Sequence, residues 1–431
     1  ITLAEDQVEF RKLAATLADA QFTIDGALKD ILSARRGLAL TATGEIGTRI
    51  ARWAVEKGGA QPVIAVRRPL AVPELTLFSN LEDAVRINAR VEPDGGPAIT
   101  ADLHLAPEKV LLNGLTLRDR HSEARLSFEK RGRRVRSTFT GRLELRSLEN
   151  LLAAPLKRSG WLSGDLRVLV PDRGWMDARI GGRLEGGDLS LPMPRRNPLL
   201  VEAFALNGAG EGGGVEIEAA RLRWGETAVG LDGWLTPGQE TPRFDLSVEA
   251  AYVDLEALLA ELQVSNRPMP SAPPPEAPMP GESERDEPGR DDRRSRPQGV
   301  LTLAIDHLEY GHYDLLPLNA KVAFDGERTR VDLTETTLCN LDLPGSLTWD
   351  RNRLSLNVKP ATATSDVGQL LSCLTQRPIE MDGQLYFLAD LSADGRWETA
   401  PSRLRGPLSI TATEGRIYRE STLTKVLALV N

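Results

Sequence analysis

Residues 85–105 read VRINARVEPDGGPAITADLHL, and this stretch decides the fold class. Apolar residues occupy every second position from Val85 to Val91 and again from Ile99 to Leu105. Because successive side chains of a β-strand point to opposite faces, the alternation predicts two strands with one apolar and one polar face. The segment Asp94-Gly95-Gly96 between them is typical of a turn, so the stretch predicts an antiparallel hairpin.

The same alternation recurs along the chain, and turn signals such as Asp325-Gly326 and Asp394-Gly395 separate the alternating segments. Alternation, as opposed to continuous apolar runs, predicts antiparallel strands with one dry face and one wet face. We therefore expect an all-β protein with a few short helices. The clearest further segments are residues 162–170, 244–250, 301–305, 354–358, 385–391 and 408–410.

Helical patterns are few. Residues 3–19 and 46–57 each place apolar side chains on one helical face. Short amphipathic turns that end in a Leu pair recur at residues 147–152, 254–259 and 365–371. This spacing indicates a repeating unit of about 110 residues, which is typical of an elongated, stacked architecture. Chance recurrence in a Leu-rich chain is the alternative.

The chain divides into four segments by pattern and composition. Residues 264–299 hold nine of the 28 prolines and a run of mixed charges, with almost nothing apolar to bury, so we expect a disordered insert there. Residues 1–140 are interpreted as an N-terminal β-groove segment with short helices, and residues 141–263 as a β-groove repeat. Residues 300–431 are interpreted as the last β-groove repeat.

Composition and charge exclude several classes of function. The 431 residues include 53 basic and 61 acidic side chains, and the net charge of −8 argues against nucleic acid as a partner. No apolar stretch reaches the roughly 18 residues of a transmembrane helix, and no signal peptide is visible. The sequence opens at Ile1 without Met and stops at Asn431 directly after the amphipathic run of residues 423–429, so we expect a fragment of a longer protein.

Motifs of catalysis are also missing from the sequence. It contains no Gly-x-Ser-x-Gly elbow, no Walker loop and no His-Glu-x-x-His zinc motif. The segment Gly208-x-Gly210-x-x-Gly213 matches the dinucleotide fingerprint in its letters, but an alternating strand follows where a helix is required. His307 and His312 could be metal ligands, although exposed turn residues are the simpler interpretation. We expect no enzyme, no cofactor and no metal.

The densest basic cluster is Lys130-Arg131-Gly132-Arg133-Arg134-x-Arg136, which alternating segments flank on both sides. This position predicts the tip of a hairpin. Two interpretations stay open. The cluster is either a solvated turn or a contact for the phosphates of anionic lipid or lipopolysaccharide.

The apolar faces of the strands carry the functional hypothesis. A β-sandwich would bury such faces against each other, and this is one interpretation. Aromatic residues make up only 5% of the chain, few for sealing a sandwich core, and the helices are too few to cover a long sheet. A long curved sheet would instead leave an apolar groove that acyl chains or another strand must fill. The residues expected to line it are Leu143, Leu145, Leu166, Val168, Leu246, Val248, Leu303, Ile305, Leu354, Leu356, Leu385 and Phe387.

The C-terminal third resembles the AsmA-like family, in its C-terminal region, which is related to YhdP and TamB. The resemblance covers about residues 300–431, and the earlier part of the chain matches only through its strand and Leu-Leu repeats. The segments that carry the resemblance are 338–345 (LCNLDLPG), 373–374 (CL), 382–383 (DG), 394–395 (DG), 404–407 (LRGP), 414–418 (EGRIY) and 422–431 (TLTKVLALVN).

The resemblance implies an elongated, trough-like twisted antiparallel sheet of repeating β-groove units. It also implies a periplasmic protein, anchored to the inner membrane by a segment outside this chain, that carries phospholipids between the inner and outer membranes as a bridge-like lipid transfer protein. Phospholipid acyl chains, both membranes and further periplasmic or membrane proteins would be its partners. A disulfide between Cys339 and Cys373 is implied as well, in keeping with an oxidising compartment.

Two other functions are compatible with parts of this pattern. A periplasmic scaffold or assembly factor for outer-membrane proteins would use the same groove to receive unpaired strands by edge augmentation. A solenoid enzyme acting on carbohydrate would need an aromatic-lined cleft with two facing carboxylates, and the low aromatic content argues against it.

Overall fold

The computed structural model describes residues 1–4, 6–32, 36–57, 66–80, 84–149, 151, 160–172, 177–191, 198–209, 213–236, 241–263, 297–350, 353–396 and 399–417. Strands account for 72% of the structure and helices are few, so the predicted all-β class is confirmed. The chain separates into two compact units. The first takes in the described residues up to 222 together with 234–236, and the second takes in 223–233 and the described residues from 241 onwards.

The strands of the first half are regular and mostly about ten residues long. They are β1 (Thr2–Ala4), β2 (Gln7–Leu17), β3 (Ala20–Lys29), β4 (Gly37–Ile46), β5 (Leu70–Ser79), β6 (Val85–Pro93), β7 (Ala98–Ala106), β8 (Lys109–Arg118), β9 (Glu123–Arg131), β10 (Arg134–Glu144), β11 (Trp161–Val170), β12 (Arg179–Leu191), β13 (Leu199–Ala209) and β14 (Val215–Trp224).

The remaining strands vary more in length. They are β15 (Thr227–Thr236), β16 (Arg243–Asp254), β17 (Gln298–Tyr310), β18 (Tyr313–Asp325), β19 (Arg328–Leu338), β20 (Leu341–Asp342), β21 (Gly345–Asp350), β22 (Arg353–Val358), β23 (Ala361–Asp366), β24 (Met381–Ala389), β25 (Leu391–Arg396) and β26 (Leu408–Ile417). The helices are α1 (Thr48–Lys57), α2 (Leu255–Gln263) and α3 (Val367–Thr375), with 3₁₀ turns at Leu145–Leu148 and Pro401–Arg403.

The first unit contains a sequential antiparallel meander. Consecutive strands from β1 to β13 pair with each other in antiparallel fashion. The hairpin predicted from residues 85–105 is β6 with β7, where Ile87 lies opposite Leu103. Residues that lie opposite each other in the register share a side of the sheet, so a face can be followed from strand to strand across the register shifts of five of these pairs.

The second unit departs from the expected antiparallel sheet at one pair of strands. β16 and β17 are parallel, with Leu246 opposite Leu301 and Val248 opposite Leu303. Parallel neighbours require a crossover connection of a dozen or more residues, and α2 followed by residues 264–297 supplies the necessary length. The other recorded pairings of this unit are antiparallel.

The sheet of the second unit forks at β19. The first part of β19 pairs with β21, which continues to β22 and β25. The last two residues of β19 pair with β20, which leads through β23 to β24 and β26. The fork gives the second branch a separate position beneath α3, whose residues pack on β23 and β24.

The helix predicted over residues 3–19 is wrong, because β1 and β2 occupy this stretch. Val8 and Phe10 lie on one face of β2, and a bulge between Phe10 and Leu13 inserts an extra residue before the alternation resumes. Lys12 in the bulge has a φ of +48°. The extra residue keeps Leu13 and Leu17 on the same face as Phe10, so a bulged strand imitates the spacing of a helix.

The other helix predictions are confirmed in part. Helix α1 lies within the predicted residues 46–57, and α2 and α3 coincide with two of the three Leu-Leu turns. Among the described residues, the turn predicted at 147–152 overlaps the 3₁₀ helix Leu145–Leu148, and residues 150 and 152 lie outside the described part of the chain. Leu145 therefore is not a strand residue, which corrects its predicted position in the alternating face.

The predicted insert at residues 264–299 lies almost wholly outside the described residues. Its last two residues, Gln298 and Gly299, belong to β17, which runs beside β16 from this point. The predicted boundaries at 140/141 and 263/264 stay predictions.

Candidate functional site

One side of the first unit's meander is apolar from strand to strand, and we call it the first apolar face. A single row across five strands illustrates it, because each residue lies opposite the next and all five side chains are half-buried. The row consists of Leu77, Ile87, Leu103, Leu112 and Phe128. A neighbouring row has the same character and comprises Leu75, Ala89, Ala101, Leu115, Leu126, Phe139 and Leu166.

The degree of burial on this face distinguishes an open sheet from a closed sandwich. Side chains between two packed sheets are as buried as a protein core. The side chains of the two rows keep part of their surface accessible to solvent. In the part of the first unit that the structure describes, these rows therefore form a concentrated apolar surface that is only partly covered.

Three of the predicted lining residues lie on the first apolar face. Leu143 lies opposite Leu162, and Leu166 lies opposite Phe139. Val168 lies opposite Ile180 on the next strand. Leu145 is not on this face as a strand residue. It belongs to the 3₁₀ helix that follows β10, where its backbone N–H donates to the carbonyl oxygen of Gly160 at 2.7 Å.

Glycines on the first apolar face bring adjacent strands close together. Gly141 and Gly164 are opposite each other, with φ values of +101° and +150° that other residues rarely adopt. A Cβ atom at Gly141 would collide with the carbonyl oxygen of Glu123 on the neighbouring strand, and one at Gly164 with that of Arg183. Substitution of either glycine would therefore disturb the strand pairing.

The second unit has an apolar side of its own, which we call the second apolar face. Leu246, Val248 and Leu303 lie on it and are half-buried. Leu301 lies on the same side of β17 as Leu303, and Val322 lies opposite it. The face continues from there across three further strands, because each residue of the series lies opposite the next: Val322, Val331, Leu347 and Leu356.

Helix α2 covers one part of the second apolar face. Ile305 is only 6% exposed and packs in a cluster with Ala250, Val253 and Leu308, against which Leu258 of α2 also packs. Ile305 is thus a core residue beneath a helix. Ile305 lies on the same side of β17 as Leu303, but α2 covers it. A ligand bound on the second apolar face therefore does not reach Ile305.

Helix α3 covers a second part of the same face. Leu385 is 4% exposed and packs with Leu341, Val367 and Leu370, while Phe387 lies against the edge of this cluster. The side chain of Asp366 caps the helix by accepting a hydrogen bond from the backbone N–H of Gln369 at 2.8 Å.

The structure contains the disulfide between Cys339 and Cys373, whose Cα atoms are 5.8 Å apart. Cys373 lies in the last part of α3, and Cys339 lies in the turn between β19 and β20. The bond therefore fastens the helix to the turn between β19 and β20.

Two neighbouring residues of β22 differ sharply in their burial. Leu354 is 5% exposed, whereas Leu356 on the same face is half-buried. Leu354 lies opposite Trp349 and Leu356 lies opposite Leu347. Leu356 is therefore accessible at the surface of the face and Leu354 is not.

Thus the predicted residues, apart from Leu145, lie on the apolar faces, but they divide into two groups. Ile305, Leu354, Leu385 and Phe387 are sealed or packed in clusters. The accessible group consists of Leu143, Leu166, Val168, Leu246, Val248, Leu303 and Leu356. Contact between this group and lipid stays a prediction.

The opposite side of the first unit carries charge pairs between strands. Arg86 on β6 donates to both carboxylate oxygens of Asp102 on β7, at 3.3 and 3.1 Å, and Asn113 donates to Asp102 at 3.0 Å. Partial burial opposes ionisation of Asp102, but the hydrogen bonds from Asn113 and Arg86 outweigh it and hold the pKa of this carboxyl below its usual value. The charged side chains on this side of the sheet are suited to contact with water.

An open pocket of about 480 Å³ lies on this polar side, across β5 to β9. Glu74, Arg90, Asp102 and Arg125 contribute its charged groups. Asp102 accepts hydrogen bonds from Arg86 and Asn113. The Arg90 guanidinium lies 2.6 Å from the Glu92 carboxylate. The lining includes no aromatic side chain on which a sugar ring could stack.

A polar group that the sequence analysis missed lies at the end of β16 to β18. Tyr252 donates a hydrogen bond to Glu309 at 2.6 Å, and its ring meets that of His307 edge-on at 5.1 Å between centroids. His307 in turn lies 2.7 Å from Asp314. The hydrogen bond to Glu309 raises the pKa of Tyr252 to about 12. The parallel pairing of β16 and β17 brings Tyr252 beside His307, and no local sequence pattern indicates this pairing.

Within the described ranges, no group of three or more His, Cys, Asp or Glu side chains is arranged to hold a metal ion. His312, the other candidate ligand, uses its carbonyl oxygen to accept a hydrogen bond from Gln376. The glycine motif at residues 208–213 joins β13 to β14, and residues 210–212 lie outside the described part of the chain. No helix in that part is both long enough and apolar enough to span a membrane.

Comparisons of the chain with protein-family profiles, with curated proteins and with solved structures gave no match.

Proposed function

We propose that this chain binds the acyl chains of phospholipids on its two apolar faces and belongs to a bridge-like protein that carries phospholipids between the inner and outer membranes. In this proposal the chain lies in the periplasm, and a segment outside it anchors the full protein to the inner membrane. The resemblance of residues 300–431 to the AsmA-like family supports the location and the cargo.

The observation that carries the proposal is the partial burial of a continuous apolar face. Leu77, Ile87, Leu103, Leu112 and Phe128 lie opposite one another across five strands, and all are half-buried. An apolar surface of this extent is unfavourable in water unless a ligand covers it. An acyl chain is uniformly apolar and needs no directional contact, so it suits a surface made of Leu, Ile, Val and Ala.

The energetics favour loading without a dedicated pocket. Each methylene that moves from water onto an apolar surface contributes up to about 0.8 kcal/mol, so a long acyl chain gains several kcal/mol along a row of such side chains. The headgroup keeps its water because the face is open. Moving the headgroup through a closed apolar channel would cost several kcal/mol unless each of its polar groups found a hydrogen-bond partner. Transfer along the face is passive in this account, and its direction is set by other components.

Lipid extraction from the purified chain tests the proposal. The chain is purified without detergent after expression in the periplasm of a diderm bacterium, and the extracted lipids are identified by mass spectrometry. Phospholipid at a stoichiometry of at least one per chain supports the proposal. A folded chain without bound lipid would overturn the proposal. If such a chain also binds peptides from the strands of outer-membrane proteins, the assembly-scaffold alternative is favoured.

A further inference from the structure

The hairpin formed by β9 and β10 ends in an exposed cluster of positive charge, which we call the rim hairpin (residues 130–136). A two-residue turn of Gly132 and Arg133 joins Arg131 to Arg134, and Gly132 adopts a φ of +58°. The cationic side chains of the rim hairpin are all exposed, and they belong to Lys130, Arg131, Arg133, Arg134 and Arg136.

These cations lack the acidic partners that arginines elsewhere on the sheet possess. Arg86 pairs with Asp102 at 3.1 Å, and Arg183 pairs with Glu185 at 2.7 Å. Arg167 pairs with Asp165 at 3.2 Å. Among the described residues, none of the five rim-hairpin cations has an ion-pair partner, although the whole chain carries a net charge of −8.

The strand register makes this concentration of charge costly. Arg131 lies directly opposite Lys109 on β8 and Arg134 on β10, so three cations form a row across three strands. Like charges directly opposite each other destabilise a sheet. Of the three, only Lys109 has an ion-pair partner in the described part of the chain, with its Nζ atom 3.6 Å from Glu129. A bound anion would offset the repulsion.

The rim hairpin also stands at the edge of the first apolar face. Lys130 lies opposite Val110 on β8 and opposite Val135 on β10, so it shares their face, in the row nearest to the turn. The next pairs towards the middle of the sheet place Leu112 opposite Phe128. An acyl chain lying on Leu112 and Phe128 would therefore direct its headgroup towards Lys130 and the turn.

We infer that the rim hairpin is a binding site for the phosphate of a phospholipid headgroup whose acyl chains lie on the first apolar face. This inference rests on the proposed function. Lys130 would meet the phosphate from the apolar side. Arg134 lies opposite Arg131 on the other side of the hairpin, so Arg134, together with Arg133 in the turn, would reach the phosphate around the tip, with the paired N–H groups that guanidinium offers to phosphate.

Two lipid probes with identical acyl chains separate the contribution of the phosphate to binding from that of the acyl chains. Fluorescent phosphatidylglycerol carries the phosphate, and fluorescent diacylglycerol lacks it. We expect the wild-type chain to bind phosphatidylglycerol about tenfold more tightly than diacylglycerol, since charge-assisted hydrogen bonds are stronger than neutral ones. The triple variant Lys130→Gln, Arg133→Gln and Arg134→Gln should lose that preference and bind diacylglycerol as the wild type does.

A matched control variant removes the same number of positive charges, but from arginines that have acidic partners. The variant Arg86→Gln, Arg167→Gln and Arg183→Gln also removes three positive charges, but away from the rim hairpin, and should keep the tenfold preference. If the rim-hairpin variant keeps the preference, or both variants lose it equally, the inference is wrong while the proposed function stands. If neither probe binds the wild type, the proposed function fails and this site with it.

Inorganic phosphate distinguishes a lipid headgroup from a free anion. The inference expects phosphate alone to bind the wild type at least about tenfold more weakly than phosphatidylglycerol, because the free ion gains nothing from the apolar face. Equal binding of phosphate and phosphatidylglycerol, both lost in the rim-hairpin variant, would identify a site for the free anion and overturn the lipid assignment.

Discussion

Cys373 in the last part of α3 is joined by a disulfide to Cys339 in the turn after β19, across 34 residues of sequence. This loop encloses β20 to β23 and the helix itself. Closing a loop of this length stabilises the folded state by about 3–4 kcal/mol in the chain-entropy account. We predict that Cys339→Ser with Cys373→Ser lowers the free energy of unfolding of the second unit by this amount, measured in urea.

Each single cysteine variant serves as a control for this prediction. Either one already breaks the bond, so the double variant should be no less stable than the weaker of the two. Two reactive thiols in the denatured but unreduced wild type would contradict the disulfide altogether.

A charge placed on the accessible part of an apolar face should remove lipid without unfolding the protein. Val168 and Leu356 are half-buried, so the carboxylate of Val168→Asp or Leu356→Asp can stay hydrated when lipid is absent. We expect a loss of about 1–3 kcal/mol in stability, the range of ordinary substitutions. Bound phospholipid should fall sharply, because an acyl chain would have to strip water from the charge.

The structure offers matched controls in both directions. Arg167→Asp and Asn357→Asp place the same carboxylate on the opposite side of the same strands, and bound lipid should be unchanged. Leu354→Asp should unfold the second unit, since Leu354 is 5% exposed and its replacement buries an unpaired charge. Collapse of the Val168 and Leu356 variants as well would indicate a closed core and remove the lipid account.

Much of this architecture follows from the sequence because the side-chain period of a strand is two. The segments around Ile87 and Leu103 alternate without interruption, and their register in the sheet agrees with the alternation. The same rule failed at Phe10 and Leu13, where a bulge adds one residue and imitates a helical spacing. A single inserted residue is not visible to a periodicity argument when its neighbours are also polar.

The division of the apolar face into sealed and accessible residues could not be predicted. Leu354 and Leu356 have the same residue type and the same parity, yet only Leu354 is sealed. Ile305 and Leu385 are covered because α2 and α3 fold back on their strands, a tertiary contact that no local pattern specifies. The parallel pairing of β16 with β17 likewise depends on a long connection whose path leaves no local signal.

The hydrogen bond from Tyr252 to Glu309 predicts a pH dependence. Because the pKa of Tyr252 is raised to about 12, this tyrosine stays protonated in the folded state after the unfolded state has begun to ionise near its ordinary value of about 10. The contribution of this residue to stability is therefore fully present below pH 10 and is lost as the pH rises through 12.

The measurement is the ultraviolet difference titration between the wild type and Tyr252→Phe, with folding followed by circular dichroism at each pH. We expect the difference signal of tyrosinate to appear near pH 12. In Glu309→Gln the carboxylate is gone, and the step should move down towards 10. A wild-type step already near 10 would contradict the hydrogen bond.

The central claim is that lipid contacts one side of the strands and not the other, and site-specific photo-crosslinking measures this directly. A photoreactive amino acid is placed singly at Leu166, Val168, Leu246, Val248, Leu303 or Leu356, and for comparison at Arg167, Ser247 or Asn357, in cells that make the protein. The account predicts phospholipid crosslinks at the first six positions and few at the last three, since neighbouring strand residues face opposite sides. Equal capture of phospholipid at Val168 and Arg167, and at Leu356 and Asn357, would contradict it.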